Sequence, residues 1–457
     1  MTGESDGMLR LEDALSRVLD GARPLPLETV TLEDAQGQVL AVPVVATTSL
    51  PPWDNSAMDG FAVRSADVAG ASPDSPVQLR VLGEVAAGHA PDRDITVGAA
   101  MRITTGAMVP SGADAVVPVE ETDAPGGVSA LPAWVAVRAP AAPGAHVRYA
   151  GADVRLGERV LDTGRLVGPA ALALAAASGA AQLAVHRRPR VGILATGDEL
   201  SPAGEPLGPC RIYDSNTPAL LAQARVAGAI AVSYGIVPDE PVALRDRLIL
   251  AVAASDVVVL SGGVSVGAHD HVRDAFRALG DLALWRVAIQ PGKPLAFGRT
   301  TAGRAGASED PDRSVALFGL PGNPVSAFVT FELFVRPLLR LLLGHTTTAR
   351  AVPVAASPAG HTATEHAAGT PGARRLVVAR LAEAVTKAPD RRAFLRVRLE
   401  ADPSTPGRLI ARLAGAQGSH MLSALAAADG LAVIPEAVPG LPAGEEVEVW
   451  VLEGEGA

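Results

Sequence analysis

The sequence predicts a multidomain protein in which a central α/β domain with a mainly parallel sheet is joined to β-rich regions on both sides. Three observations lead to this prediction. The chain has 457 residues, too many for one hydrophobic core, and this length indicates about three domains. From Arg190 to about residue 343, apolar runs of strand length alternate with helical segments, which is typical of right-handed βαβ units. Before and after this region, short β-prone runs are separated by turns rich in Pro and Gly.

The first part of the chain combines one amphipathic helix with short strands. The helix is predicted over residues 9–20, LRLEDALSRVLD, because four apolar side chains share one helical face: Leu11, Leu15, Val18 and Leu19. Strand-like runs such as VQLRVLGEV and WVAVR follow as far as about residue 147. A Gly- and Ala-rich passage then contains a second predicted helix, over residues 169–178.

In the central region, apolar runs predict strands and the segments between them predict helices. The predicted strands are RVGILA, residues 229–236 and DVVVL. The predicted helices cover residues 217–227, residues 241–253 and a stretch that ends near Leu279, and a long helix after GLPGNP ends near Leu343. We expect residues 301–313, TAGRAGASEDPDR, to form a solvated loop. After Gly344, RRAFLRVRLE and EEVEVWVLE alternate polar and apolar residues, which predicts a small all-β domain.

Composition excludes several classes of function. The net charge of −10 gives sequence-independent nucleic-acid binding no electrostatic basis. A single cysteine, Cys210, excludes an intramolecular disulfide and a cysteine-rich metal site. No run of 18 uncharged, strongly apolar residues predicts a membrane span, and the acidic start MTGESDGMLRLEDAL does not resemble a signal peptide. We therefore expect a cytoplasmic protein that binds neither membranes nor nucleic acids.

Ligands of open α/β sheets bind beyond the carboxyl ends of the strands, and three loops of the central region lie at such ends. The loop TGDEL carries Thr196, Asp198 and Glu199. The loop SGGVSVGAHD carries Ser261, Gly262, Gly263, Ser265, Gly267 and Asp270. The loop GLPGNP carries Pro321, Gly322, Asn323 and Pro324, of which Asn323 is expected at the N-cap and Pro324 at the first position of a helix.

The residue types of these loops suggest phosphate and metal binding. Glycines and a hydroxyl between a buried strand and a helix can cradle an anion, although the same pattern also occurs in tight turns. SGGVSVGAHD is neither a Walker loop nor G-x-G-x-x-G. Carboxylates near a phosphate cradle suit Mg²⁺, whereas a single loop carboxylate more often serves as a cap or a solvated charge.

Two further segments are candidates for function. Residues 51–64, PPWDNSAMDGFAVR, fit neither helical nor strand periodicity and predict an ordered polar loop, and TTGAMVPSGAD has a similar character. QPGKP contains Lys293, one of only two lysines among 39 basic residues. A position that takes Lys in a chain that otherwise uses Arg suggests a need for a compact charge.

The combination of PPWDNSAMDGFAVR, RITTGAMVPSGADAVVPVEE, TGDEL, SGGVSVGAHD, QPGKP and GLPGNPVSAF resembles the molybdopterin molybdenumtransferase family, the molybdenum-insertion enzymes of molybdenum cofactor synthesis. The C-terminal domain of gephyrin is related to this family. The resemblance runs from about residue 8 to about residue 452, with all six motifs in family order.

The resemblance implies four domains and a homodimer. A discontinuous linker and dimerisation domain would comprise residues 1–44 and 147–183, with a β-rich inserted domain at 45–146. An α/β molybdopterin-binding domain would cover 184–344 and a small β-barrel 345–457. Each cleft of the dimer would be lined by the α/β domain of one subunit and the N-terminal half of the other.

The resemblance also implies a reaction and a set of site residues. Molybdenum from molybdate would be inserted at the dithiolene of adenylylated molybdopterin, with release of AMP. The implied catalytic residues are Asp59, Thr105, Glu199, Asp239, Asp270 and Lys293, with Mg²⁺ held by Glu199 and Asp270. The implied substrate-binding residues are Asp153, Ser261, Gly262, Gly263, Ser265, Gly267, Arg286, Pro321, Gly322, Asn323, Pro324 and Ser419.

Two alternatives and two departures from the family pattern accompany this hypothesis. A molybdopterin adenylyltransferase would need little more than the α/β domain, and a non-enzymatic scaffold like gephyrin would not need the site carboxylates.

Gln290 replaces a lysine that often precedes PGKP, whereas Arg286 keeps a basic charge nearby; the loop at 301–313 is longer than expected. The implied protein partners are the molybdopterin adenylyltransferase and apo-molybdoenzymes.

Overall fold

Two units of structure can be distinguished, and each is described by itself. The computed structural model describes residues 8–124, 130–263, 275, 279–300, 314–345 and 374–452. The larger unit contains residues 1–28, 37–41 and 185–457, and the smaller unit contains residues 29–36 and 42–184. Two strands, Leu27–Thr31 and Gln182–His186, lie where the chain passes from one unit to the other.

A six-stranded sheet, here called the central sheet, organises the larger unit. The first four strands of the sheet are parallel to one another, and each of the last two pairs antiparallel with the strand before it. In spatial order the strands are Ile230–Val237, Arg190–Thr196, Val257–Ser261, Val315–Leu320, Pro294–Thr300 and Asp281–Arg286. This arrangement confirms the predicted α/β domain with a mainly parallel sheet.

Helices cover both faces of the central sheet, which explains why its inner strands Val257–Ser261 and Val315–Leu320 are continuous buried runs. Alternate residues of Val257–Ser261 contribute to two separate cores, Val257 and Val259 to one, Val258 and Leu260 to the other. The first core is closed by the helices Leu11–Leu19 and Asn216–Val226 and by a long helix from Pro324 to Leu342. The second is closed by the helix Pro241–Ala254.

The C-terminal region of the larger unit is a closed barrel of five strands. Around the barrel the strands are Arg392–Ala401, Leu409–Leu413, Leu376–Leu381, Glu446–Val451 and Gly430–Ile434, and the last pairs again with the first. The remaining elements are the paired strands Val385–Thr386 and Gly440–Leu441 and the helix Leu422–Ala426. The predicted β-barrel is confirmed.

A five-stranded sheet, here called the insert sheet, is the main element of the smaller unit. Its strands in spatial order are Ala115–Pro118, Gly60–Val63, Ala99–Ile103, Val77–Val85 and Trp134–Val137. Two further pairs form in this unit, Val44–Val45 with Arg159–Leu161 and Asn55–Ser56 with Val147–Arg148. Its helices are Ser65–Val68, Val119–Glu121 and Pro169–Ala177.

Most predicted elements of the α/β domain occur within two residues of the expected positions. The predicted helix at 217–227 is Asn216–Val226, and the predicted helix at 241–253 is Pro241–Ala254. One difference is a π-helical segment, Phe331–Val335, inside the long helix. The expected loop at 301–313 lies outside the described residues, as does most of the helix expected before Leu279. Among the described residues, no helix is both long enough and apolar enough to cross a bilayer.

Candidate functional site

The four parallel strands of the central sheet end at one edge, here called the carboxyl edge. Their last residues are Thr196, Val237, Ser261 and Leu320. Because parallel strands run in one direction, the loops that follow them must emerge together. The structure therefore brings together TGDEL, the segment with Asp239, the start of SGGVSVGAHD, and GLPGNP. Ser265, Gly267 and Asp270 lie outside the described residues.

Lys293 and Arg286 reach the same edge from the two antiparallel strands. The register pairs Ala296 with Gly319, so the strand Pro294–Thr300 begins where Val315–Leu320 ends. The next pairing places Arg286 opposite Pro294, the residue after Lys293. The topology thus adds two basic residues to the carboxyl edge, as anion binding by this edge would require.

The backbone around Lys293 is tightly constrained. Gly292 has a φ of +105°, and a Cβ at this position would lie 2.6 Å from Thr330 Cγ2 on the long helix. Val287 donates its N–H to the Lys293 carbonyl at 2.8 Å. Within the described part of the chain, the Lys293 ammonium has no hydrogen-bond or ion-pair partner. Its backbone is thus fixed while its charge is left available for a ligand.

The other lysine has a structural role. Lys387 Nζ donates to the carbonyls of Ala388 and Glu436, at 3.3 and 3.2 Å. Burial lowers the pKa of Lys387, against the opposing field of Glu436. The two lysines therefore differ: among the described residues, the ammonium of Lys387 donates hydrogen bonds to backbone carbonyls, whereas that of Lys293 does not.

The TGDEL loop is linked to Asp239 by two hydrogen bonds. Thr196 Oγ1, which is buried, donates to Asp239 Oδ1 at 2.6 Å. Asp239 donates its backbone N–H to Asp198 Oδ1 at 3.3 Å. Glu199 is exposed, and its carboxylate lies so close to Gly197 that a Cβ there would be 2.6 Å from Oε2. The Glu199 carboxylate thus faces solvent, and it has no partner among the described residues.

Gly262 allows the start of SGGVSVGAHD, here called the Gly/Ser loop, to approach the backbone of TGDEL and of GLPGNP. Gly262 has a φ of +101°, and a Cβ there would lie 2.4 Å from the Thr196 carbonyl oxygen. Gly262 also donates its N–H to the Leu320 carbonyl at 3.1 Å. A Cβ on Gly322 would lie 3.7 Å from Gly262 Cα, which is an ordinary contact. The Gly/Ser loop therefore starts in direct backbone contact with the loops on either side of it.

Asn216, which directly precedes the helix predicted over residues 217–227, connects two of these loops. Its Nδ2 donates to Ser261 Oγ at 2.7 Å and to the Gly322 carbonyl at 2.8 Å. Its backbone N–H and that of Thr217 both donate to Asp214 Oδ1 at 3.0 Å. Nothing in the local pattern distinguishes this Asn from a capping residue, so the tertiary contacts are its only signal.

The long helix begins as predicted, with Asn323 at the N-cap position and Pro324 as its first residue. Among the described residues, the Asn323 side chain makes no capping hydrogen bond. The Val325 N–H, at the second position of the helix, donates to the carbonyl of Ser419 at 3.1 Å. The Ser419 backbone thus joins the C-terminal region to the start of the long helix, directly after GLPGNP. The implied substrate-binding role of Ser419 stays a prediction.

A buried arginine shapes the loop that carries Ser419. Arg396 is fully buried and donates to the carbonyls of Ala416 and Gly418, at 3.1 and 3.0 Å. Gln417 Oε1 accepts the backbone N–H of Arg396 at 2.9 Å. Burial lowers the pKa of Arg396 to about 10, which still leaves it charged at neutral pH.

A second cluster lies in the smaller unit, at the end of the insert sheet. The register pairs Gly60 with Ile103, so Asp59 and Thr105 emerge from adjacent strands at the same end. Thr105 donates its backbone N–H and its hydroxyl to Asp59 Oδ1, at 2.6 and 2.8 Å. These two hydrogen bonds, with a smaller contribution from Arg102, lower the pKa of Asp59. Asp59 is therefore an exposed, firmly ionised carboxylate.

Residues 51–64, expected to form an ordered loop, contain two strands instead, Asn55–Ser56 and Gly60–Val63. The residues between them gave no periodic signal, and backbone contacts order the segment. Asp54 Oδ1 accepts the N–H of Ala150 at 2.8 Å, and the Asp54 carbonyl accepts the N–H of Val109 at 2.9 Å. A Cβ on Gly60 would lie 2.0 Å from the Val117 carbonyl oxygen, so glycine is required there. Asp153 donates its N–H to the Leu50 carbonyl at 2.9 Å, and its side chain is exposed.

Sequence comparison assigns almost the whole chain to known domains. Residues 9–179 match the MoeA N-terminal region, residues 192–341 match a probable molybdopterin-binding domain, and residues 378–452 match the MoeA C-terminal region. Molybdopterin molybdenumtransferase 2 of Mycobacterium tuberculosis is 40% identical over 444 residues, which cover 96% of this chain and 97% of that one. The chain belongs to the molybdopterin molybdenumtransferase family.

Other members of the molybdopterin molybdenumtransferase family and solved structures agree. The molybdopterin molybdenumtransferase of Haemophilus influenzae is 31% identical over 448 residues, covering 97% of this chain and 98% of its own. The crystal structure of a molybdopterin biosynthesis MoeA protein from Pyrococcus horikoshii superposes with a TM-score of 0.76 at 32% identity. That similarity covers 98% of this chain and 100% of the other.

Gln290 is where this member of the molybdopterin molybdenumtransferase family departs from the expected lysine. Its Oε1 accepts the backbone N–H of Ala388 at 3.1 Å. The strand Ile289–Gln290 also pairs with the first residues of the barrel strand Arg392–Ala401. The side chain at 290 therefore attaches the QPGKP segment to the barrel.

Proposed function

We propose that the chain catalyses insertion of molybdenum from molybdate into adenylylated molybdopterin, with release of AMP. The observation that carries this proposal is the composition of the carboxyl edge. A glycine–hydroxyl loop, two basic residues and exposed carboxylates meet there, in the domain that matches the molybdopterin-binding family. This combination suits a substrate that carries phosphates and an oxyanion, because each anion needs donors and compact positive charge.

Within this proposal each group has a distinct role. Ser261 and the N–H groups near Gly262 would contact phosphate, and Lys293 with Arg286 would offset the negative charge of phosphate or molybdate. Glu199 and Asp239 would orient the water or metal that acts on the phosphoanhydride. The strand-end loops hold these groups before substrate arrives, which lowers the entropic cost of assembling the site.

Magnesium is part of the proposal as a resident cofactor. Among the described residues, no group of three or more His, Cys, Asp or Glu is placed to hold a metal. The donor chemistry nevertheless fits Mg²⁺, since Glu199 presents a hard, exposed carboxylate and Mg²⁺ binds through one or two carboxylates plus phosphate and water. Glu199 and Asp270 would hold the ion, which would withdraw charge from the phosphate oxygens.

A homodimer and the four-domain division are further parts of the proposal. The family resemblance supports a cleft shared between subunits, with Asp59, Thr105 and Asp153 from one subunit and the carboxyl edge from the other. Equal amounts of Asp59→Asn and Glu199→Gln protein, unfolded and refolded together, should then recover about a quarter of wild-type activity, because half of the dimers would contain one intact cleft. Recovery of no activity would exclude a shared cleft.

The proposed activity is tested by mixing purified protein, adenylylated molybdopterin and Mg²⁺, with and without molybdate. AMP release that depends on molybdate is the expected result, and absence of such release would overturn the proposal. The matching N- and C-terminal regions favour this activity over adenylyl transfer by an isolated α/β domain. Adenylylation of molybdopterin from ATP by the same preparation would instead support that alternative.

A further inference from the structure

Chemistry alone assigns the donor and the acceptor in the two hydrogen bonds of the Asn216 side chain. One atom of its amide contacts both Ser261 Oγ and the Gly322 carbonyl oxygen, at 2.7 and 2.8 Å. The carbonyl oxygen carries no hydrogen, so the amide atom that faces it must be the nitrogen. This NH₂ group can only donate, and therefore the Ser261 oxygen must accept.

This direction leaves the Ser261 hydroxyl hydrogen free. Within the described ranges, Ser261 Oγ has no acceptor for its own hydrogen. Ser261 is the last residue of a buried strand at the carboxyl edge and is itself buried. A hydroxyl whose oxygen is already occupied as an acceptor is polarised toward donation. The Gly322 carbonyl oxygen accepts the other hydrogen bond from Asn216, and this bond reduces the repulsion between that oxygen and a nearby anion.

We propose that Asn216 is a positioning residue that presents the Ser261 O–H as a donor to the anionic group of the substrate. The inference rests on the proposed function, because it takes the 5′-phosphate of the AMP moiety as that group. Asn216 acts through Ser261 and through the carbonyl of Gly322, and its own backbone is fixed by Asp214. The side chain thus couples the helix Asn216–Val226 to the anion cradle.

Two substitutions at position 216 remove the NH₂ donor in different ways. Asn216→Ala removes the donor and lets the Ser261 hydroxyl rotate. Asn216→Asp keeps the size but replaces the NH₂ with an acceptor, so the Ser261 hydroxyl turns to donate to the new carboxylate. Asp also turns a carboxylate toward the Gly322 carbonyl and adds a negative charge close to the anion, so it should weaken phosphate binding more than Ala whichever role Asn216 has. The neutral change Asn216→Ala therefore carries the test.

Calorimetric titration of the full-length protein with AMP measures this directly. We expect Asn216→Ala to weaken AMP binding about tenfold, the lower range for a hydrogen bond to a charged group. In a Ser261→Ala background, the same change should weaken binding by less than about twofold, since additivity fails only for coupled residues. Equal losses in both backgrounds, or no loss with Ser261 present, would overturn the inference.

Two controls keep the outcome interpretable. Gln223→Ala, in the same helix, removes hydrogen bonds to Phe328 and Glu332 and should lower the melting temperature without changing AMP affinity. If Asn216→Ala does not fold, Asn216→Leu, which keeps the volume, is neutral and lacks the donor, gives the same comparison with and without Ser261→Ala. Wild-type protein that fails to bind AMP overturns the inference, whereas protein with the expected coupling but no molybdate-dependent AMP release overturns only the proposed function.

Discussion

Thr105 donates both its backbone N–H and its hydroxyl to one oxygen of Asp59, at 2.6 and 2.8 Å. Both hydrogen bonds stabilise the ionised carboxylate, and they are the main reason that the pKa of Asp59 lies below the usual 3.8. Asp59 is therefore charged at every pH at which the protein is expected to work. A negatively charged group fixed in this way can orient a substrate or a cation but is poorly suited to donate a proton.

Thr105→Val should raise the pKa of Asp59 toward its usual value, because the substitution removes the hydroxyl and keeps the backbone N–H. Since the pKa in the folded protein is lowered, the ionised Asp59 stabilises the fold above pH 3.8, and this stabilisation is lost as the pH falls through the lowered pKa. Carboxyl chemical shifts in an NMR titration measure the change. Thr105→Ser, which keeps the hydroxyl, should titrate like the wild type; an unchanged pKa in Thr105→Val would contradict the assignment.

Gly262→Ala should destabilise the protein and reduce its activity. The positive φ alone costs a non-glycine residue about 1–3 kcal/mol, and the added Cβ would lie 2.4 Å from the Thr196 carbonyl oxygen. Gly322→Ala is the matched control for stability, because its Cβ meets nothing nearer than 3.7 Å, and it should change the free energy of unfolding by less than about 0.5 kcal/mol. Urea unfolding compares the free energies of unfolding of the two variants. Equal values would show that the backbone at residue 262 can move away from Thr196 to make room for the added Cβ.

Lys293→Arg should leave folding intact and reduce molybdate-dependent AMP release tenfold or more, about 1.4 kcal/mol in activation free energy. Arg presents a broad planar fork, and the backbone that carries residue 293 is fixed by Gly292 and two prolines, so the guanidinium cannot take the place of the ammonium. Lys387→Ala is the matched control. Its loss should lower the melting temperature, since Lys387 holds two carbonyls, while activity per folded molecule is kept. Near-normal activity of Lys293→Arg would show that any cation suffices.

Gln290→Lys should have opposite effects on stability and on anion affinity. The substitution removes the acceptor for the Ala388 N–H, at a cost of about 1 kcal/mol, and adds a positive charge three residues before Lys293. We expect a lower melting temperature and a lower apparent KM for molybdate. Gln290→Met, which also loses the acceptor but adds no charge, should share only the stability loss. An unchanged KM in Gln290→Lys would place residue 290 outside the anion site.

The apolar pattern was sufficient to predict the inner strands of the α/β domain, because they are buried on both faces and read as uninterrupted runs such as Val257–Ser261. It could not reveal the π-helical segment Phe331–Val335, since all five residues are buried and give no periodic signal. The ends of neighbouring strands follow from topology, so the loops that carry Glu199 and Ser261 could be grouped in advance, whereas Asp239 was indicated only by the family resemblance. Asn216 could not, because its importance depends on contacts with residues 45 and 106 positions away.

Simultaneous measurement of AMP and of molybdenum bound at the dithiolene tests the central claim most directly. Purified wild-type protein is given adenylylated molybdopterin, Mg²⁺ and molybdate, and both products are followed in the same reaction. We expect AMP and the molybdenum-bearing pterin to appear together in equal amounts, only when molybdate is present, and to be strongly reduced in Glu199→Gln. AMP release at the same rate without molybdate, or formation of neither product, would contradict molybdenum insertion by this protein.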